Sequence, residues 1–181
     1  MTLPSLINSI KDKHYHTALK KSYTILQQSI SYMKANDEVL VGACASNDSK
    51  CLGKLFEKYM NFVNTKIGYA FRGELDSCWQ GGFVSNDKEL YYCGISPDGI
   101  SYVFDMEYSA PSEAKLIAKI YIDTNNIKPP NIYGHDRYIL FINNQGIITT
   151  EHGVYPNLCL YSTVNDSRNY ACANLVLTNT K

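Results

Sequence analysis

Residues 115–142 read KLIAKIYIDTNNIKPPNIYGHDRYILFI, and this stretch decides the fold. Leu116, Ala118, Ile120 and Ile122 alternate with their neighbours, the period of a β-strand with one apolar face. A second apolar run, entered through Tyr138, Leu140 and Phe141, starts at Arg137 and extends to Ile142. The link between them is rich in short polar side chains: Asp123, Asn125, Asn126, Asn131 and Asp136. Such groups hydrogen-bond nearby backbone in tight turns. Pro129 and Pro130 stiffen the link, and Gly134 can take a positive φ.

The same period holds on both sides of this unit. Upstream, Glu89 to Ile95 and Ile100 to Met106 flank Ser96-Pro97-Asp98-Gly99, a strong turn signal. Downstream, Gly146 to Thr150 follows Asn143-Asn144-Gln145, which predicts another hairpin. Residues 151–181 read as loop-rich, with a last strand expected at 171–178.

The N-terminal part has the helical period. Residues 3–35 are predicted to form one long helix, with Pro4 in its first turn and no further Pro or Gly until Gly42. Leu19, Tyr23, Leu26, Ile30 and Met33 make one apolar stripe. Leu3, Leu6 and Ile10 continue an apolar line at its start, and Lys11, Asp12, Lys13, His14 and His16 lie between. The first half carries too little apolar surface to be buried in a domain of this size, so it is expected to project. A second helix is expected over 49–66, with Ser49 as N-cap and Leu52, Leu55, Phe56, Tyr59, Phe62 and Val63 on one face. Residues 67–87 read as irregular. The predicted class is α+β: a long N-terminal helix packed against an antiparallel sheet of three to five strands. The predicted organisation is a single domain over 1–181. Its parts are the helix at 3–35, a helical and loop insertion at 36–90, the sheet at 88–150 and a disulfide-bearing C-terminal region at 151–181.

Composition narrows the function classes. The chain has 181 residues, is 45% hydrophobic and 19% charged, and has a formal net charge of zero, so no bulk field steers it toward nucleic acid or anionic lipid. Its 15 tyrosines suit either a contact surface or a half-buried sheet interface. No run of about 20 apolar residues is present to cross a membrane. The six cysteines, Cys44, Cys51, Cys78, Cys93, Cys159 and Cys172, contain no CxxC pair, which disfavours zinc. An even count suits a paired framework with fifteen possible connectivities. Sequence neighbours suggest 44–51, 78–93 and 159–172, and disulfides imply an oxidising compartment.

A family resemblance rests on three segments. Asp123-Thr124-Asn125-Asn126, then Lys128-Pro129-Pro130-Asn131, then Gly134-His135-Asp136 before an aromatic strand, resembles the Asp-x-Asn-Gly, Lys-Gly-Pro-Asn, x-x-Gly-x-Asp segment of type IV pilin-like proteins and type II secretion pseudopilins. Thr2-Leu3-Pro4-Ser5 resembles the Ala-Leu-Pro-x junction midway along that family's N-terminal helix, and Leu19-Lys20-Lys21-Ser22-Tyr23 the part that packs under the sheet. Tyr170-Ala171-Cys172-Ala173 is similar to its cysteine-bearing C-terminal strand. Asn126 and Pro129 depart from the family glycines, and the usual Gly-Trp step after Cys172 is missing.

The resemblance implies a structural subunit, a pilin, minor pilin or pseudopilin, of a bacterial pilus or secretion filament. Its mostly apolar helical segment would precede Leu3, be held in the inner membrane, and later join the filament core. Leu3, Leu6, Ile10, Leu19, Tyr23, Leu26 and Ile30 would form the assembly helix. Asp123, Asn125, Pro130, Asn131, Gly134 and Asp136 would form the turn motif. Implied partners are other subunits of a homo- or heteropolymeric filament, the inner membrane, and a host or surface ligand. The implied location is the inner membrane before assembly, then a periplasmic or extracellular filament.

Other chemistry finds less support. Pseudopilins of this kind often bind calcium near this end of the sheet, which makes Asp123, Asn125 and Asp136 candidate ligands, with Asn165-Asp166-Ser167 a weaker one. No D-x-[DN]-x-[DN]-G pattern is present, so turn shaping is the expected role, with no cofactor. His14 and His16 face different sides of a helix and do not form a joint metal site. Lys11, Lys13, Lys20 and Lys21 form a basic patch interrupted by Asp12; nucleic acid is not the expected partner. The chain lacks G-x-S-x-G, H-E-x-x-H and a phosphate loop, and no enzymatic activity is expected. The alternative is a stand-alone secreted adhesin or carbohydrate-binding module.

Overall fold

In the computed structural model of the chain, the described residues are 3–38, 40–69, 74–80, 89–106, 116–143, 145–150, 159, 161–163, 169 and 171–178. The elements are α1 (Leu3–Ala35), α2 (Leu40–Ala43), α3 (Ser49–Glu57), β1 (Asn64–Gly68), β2 (Tyr91–Ile95), β3 (Ser101–Met106), β4 (Leu116–Asp123), β5 (Arg137–Asn143), β6 (Ile148–Thr149) and α4 (Cys172–Thr178). The six strands form one antiparallel sheet in chain order, β1 to β6. The α+β layout is as the sequence predicts, but the sheet exceeds the expected three to five strands.

Three local expectations need correction. The second helix stops at Glu57, and Asn64–Gly68 is an edge strand rather than helix or irregular chain. Asp48, not Ser49, caps α3, its side chain accepting from the Cys51 N–H at 2.9 Å. The Ser49 hydroxyl instead donates to Glu89 and accepts the Met106 N–H at 2.7 Å, which pins the helix start to β3. The expected strand at 171–178 is α4, which buries Cys172, Ala173 and Val176. Asn165-Asp166-Ser167, Tyr170 and the side chains of Leu3 and Leu6 lie outside the described residues.

The sheet is apolar on both faces. On one face Tyr92, Tyr102, Phe104, Ile120, Ile122, Tyr138, Leu140 and Ile142 pack with Leu19, Leu26, Ile30 and Met33 of α1. Leu52 and Phe56 of α3 and Ala173 and Val176 of α4 complete that layer. Each such fully buried aliphatic or aromatic side chain stabilises by roughly 1.5–3 kcal/mol relative to exposure. On the other face Tyr91, Cys93, Val103, Tyr121, Ile139 and Phe141 pack with Leu75, Cys78 and Trp79. The segment 74–80 therefore lies over the face away from α1. This second layer absorbs tyrosines that the sequence left free for surface contact. Tyr91, Tyr121 and Tyr133 are all at most 2% exposed.

Candidate functional site

The β4–β5 connection is a closed hydrogen-bonded knot built by its short polar residues. Asp136 is its hub. One carboxylate oxygen accepts the Ile132 N–H at 2.6 Å; the other accepts the Asn131 N–H at 2.9 Å and the Asn125 amide at 3.2 Å. The Asp136 carbonyl accepts both the N–H and the hydroxyl of Thr124 at 2.9 Å. Asn126, Asn131 and Gly134 adopt positive φ, so two asparagines take left-handed positions that L side chains other than Asn and Asp seldom adopt. The Pro129–Pro130 peptide is cis.

Under the knot lies a buried ion pair. Arg137 Nε donates to Asp123 Oδ2 at 2.8 Å, with both side chains 1% exposed. The guanidinium also sits 4.5 Å from the centre of the Trp79 ring on the sheet's second face. Asp123 Oδ1 accepts the Asn125 N–H at 3.2 Å. Burial pushes the Asp123 carboxyl up to about 7, against the opposing pull of Arg137. The calcium candidates Asp123, Asn125 and Asp136 are thus brought together, but each aspartate oxygen already accepts a donor of the protein. Among the described residues no group of three or more His, Cys, Asp or Glu side chains is placed to hold a metal.

The knot also holds the long helix. His135 Nε2 lies 2.9 Å from Asp12 Oδ1, and Tyr15 packs edge-on against His135 at 5.2 Å between ring centres. The Tyr15 hydroxyl accepts from the Asn125 amide at 3.4 Å. Farther along, Tyr102 donates to Ser22 at 2.9 Å and Lys21 pairs with Asp98 at 2.6 Å. The helix is therefore docked from about Asp12 onward, earlier than its polar first half suggests. Of the sequence-assigned assembly residues, Leu19, Leu26 and Ile30 are spent in this chain's own core and Tyr23 is half-buried. Ile10 stays 59% exposed.

Compared with known proteins, the chain matches no family model, no curated protein and no solved structure. Its function has to be read from its own residues.

Three disulfides, Cys44–Cys51, Cys78–Cys93 and Cys159–Cys172, fasten the periphery to this frame, and they fit an oxidising compartment. The first links α2 to α3, the second ties the 74–80 segment to β2, and the third anchors the start of α4. These are the pairs that chain neighbours suggested. No described helix is long and apolar enough to cross a membrane. Sequence reasoning missed Arg137, Trp79 and the Asp12–His135 contact. An arginine opening a strand opposite an aspartate closing its neighbour was the available signal for the first. No local pattern announces the other two, because their partners are distant in sequence.

Proposed function

We propose that the chain is the extracytoplasmic part of a filament subunit of the type IV pilin or type II secretion pseudopilin kind. It acts by assembly and surface contacts, not by catalysis. The observation that carries this reading is a helix of 33 residues, about 50 Å long, in which Tyr15 is the first buried side chain among the described residues. Ahead of it Ile10 presents apolar surface that the chain's own sheet does not cover. The turn supports it, since Asn125 bonds Tyr15 of the same helix, His135 packs on that Tyr15 and meets Asp12, and Asp136 holds Asn125 and Asn131 in place.

On this reading an apolar helical segment precedes Leu3 in the full protein and holds it in the inner membrane. Subunits leave the lipid by packing those segments together, with close packing and polar pairing supplying specificity. The Asp12–His135 and Tyr15 contacts keep the globular part at a fixed angle to the shared core. Much of 36–90 is built into the domain through α3, β1 and the 74–80 segment, so adhesion or partner contacts would fall to its exposed side chains. The sequence of the full gene tests this. About 25 apolar residues before Leu3, after a short basic leader, would support the filament. A conventional cleaved signal peptide, or a polar segment, would leave a stand-alone secreted module as the better account.

A further inference from the structure

A cleft of about 490 Å³ opens between α1 and α4. Lys13, His16, Thr17 and Lys20 form one wall, at spacings of three, four and seven that place them on one helical face. The opposite wall and floor are Tyr161, Leu175, Val176, Gly134 and the Cys159–Cys172 disulfide. One side is thus cationic and the other apolar. Tyr161 is 68% exposed and Leu175 40%, so the apolar side is open to a ligand.

The cations are uncommitted. Elsewhere on α1, Lys21 pairs with Asp98 and Lys34 donates to the Gln145 carbonyl. Asp12, the nearest acid on the helix, faces His135 at 2.9 Å. Among the described residues no carboxylate pairs with Lys13 or Lys20. Desolvation lowers the His16 pKa from its ordinary value; Lys20 and His135 lower it further and Asp12 opposes them.

The occupant follows from the walls. Among the described residues the two long walls, α1 and α4, are helices whose backbone groups are largely spent internally, so these walls offer no strand edge for an extended peptide. The volume lies within the range of small-ligand sites. A pyranose ring presents an apolar C–H face, which suits the Tyr161 ring and the disulfide floor, and hydroxyls, which suit Thr17 and His16. A carboxylate on that ring would meet Lys13 and Lys20 in charge-assisted hydrogen bonds. We propose that this cleft binds an acidic sugar residue of the hexuronate class, its carboxylate held by Lys13 and Lys20 and its ring laid against Tyr161. The site is independent of the filament reading: a subunit or a stand-alone module would carry it equally.

Titration of the full chain with D-glucuronate, followed by NMR, tests this, with D-glucose as the neutral counterpart and N-acetyl-Asp-Glu-amide as an acidic peptide. Saturable shifts at Lys13, His16, Lys20 and Tyr161, an affinity near about 1 mM, and no binding of glucose are expected. The His16 titration midpoint should move up when the carboxylate is bound, with Asp12, Lys20 and His135 as the other charges facing it. Lys13→Gln with Lys20→Gln removes two exposed cations and should weaken binding about tenfold or more while leaving the melting temperature unchanged. Tyr161→Ala should weaken glucuronate and leave its salt dependence intact. No saturable shift, equal binding of glucose, or an unaltered affinity in the double variant overturns the proposal. Tighter binding of the acidic peptide overturns the sugar assignment.

Discussion

Arg137→Met keeps most of the side chain's apolar stem and deletes the guanidinium that faces Asp123 at 2.8 Å. The substitution leaves a carboxyl group 1% exposed without its cation. Burial already raises the Asp123 carboxyl to about 7 with Arg137 present, and without Arg137 it rises further. A group whose folded pKa is raised contributes stability that is complete below its unfolded value, near 3.9, and is lost as pH climbs through its folded value. At pH 5 Asp123 is protonated in both proteins. There the variant loses the hydrogen bond to Asp123 and the contact with Trp79, together about 2 kcal/mol. Above pH 7 the native carboxyl ionises while the variant's does not, which adds about 1.4 kcal/mol per pH unit. At pH 8 the deficit reaches about 3–4 kcal/mol, within the range for breaking a buried pair and a large part of a typical domain's stability. Urea unfolding at pH 5 and 8, followed by circular dichroism because Trp79 touches the mutated site, reads both values. Asp123→Asn added to the variant leaves nothing to protonate at this site, so its deficit against the native protein should shrink by about 2–3 kcal/mol between pH 5 and 8 instead of growing. Equal losses at the two pH values in Arg137→Met, or a loss below about 1 kcal/mol at pH 8, would refute a coupled buried ion pair.

Gly53→Ala places a Cβ 2.1–2.4 Å from Tyr92 ring and Cβ atoms, so α3 must lift from β2; a loss of about 1–3 kcal/mol is expected in thermal melts. Gly134→Ala combines a φ of +86° with approaches of 2.8–2.9 Å to Cys172 Sγ, Cys159 Sγ and Tyr161. It should cost about 1–3 kcal/mol and speed alkylation of Cys159 and Cys172 under mild reductant. Replacing Cys78 and Cys93 together with serine opens a link of sequence separation 15. The expected loss is about 3 kcal/mol by urea unfolding, with the 74–80 segment exchanging its amides faster.

The β4–β5 unit was legible because Leu116 to Ile122 alternates and its turn residues each have one local job. β1 was not, since Asn64-Thr65-Lys66-Ile67-Gly68 is largely exposed and shows no alternation of burial. The expected helix at 49–66 failed for a specific reason. Phe62 reaches the same core from extended chain, packing on Tyr92, Tyr102 and Phe104. Its spacing from Leu55 and Tyr59 therefore mimicked a helical face after the helix had ended. At 172–178 the expected strand is a helix: Leu175 and Leu177 suit a helix, Cys172, Ala173 and Val176 have helical spacing, and packing on α1 decides it over the β-formers Val176 and Thr178. The turn residues of the candidate site could be read as turn formers. Their hold on Tyr15 could not, because a contact between residues 15 and 125 or 135 leaves no trace in local pattern.

Electron microscopy of filaments from cells producing the tagged full-length protein tests the central claim most directly. The filament account predicts label on the filaments, along the shaft for a major subunit or at the end for a minor one. Unlabelled filaments, with the tagged protein recovered only as a free monomer outside the inner membrane, would contradict it.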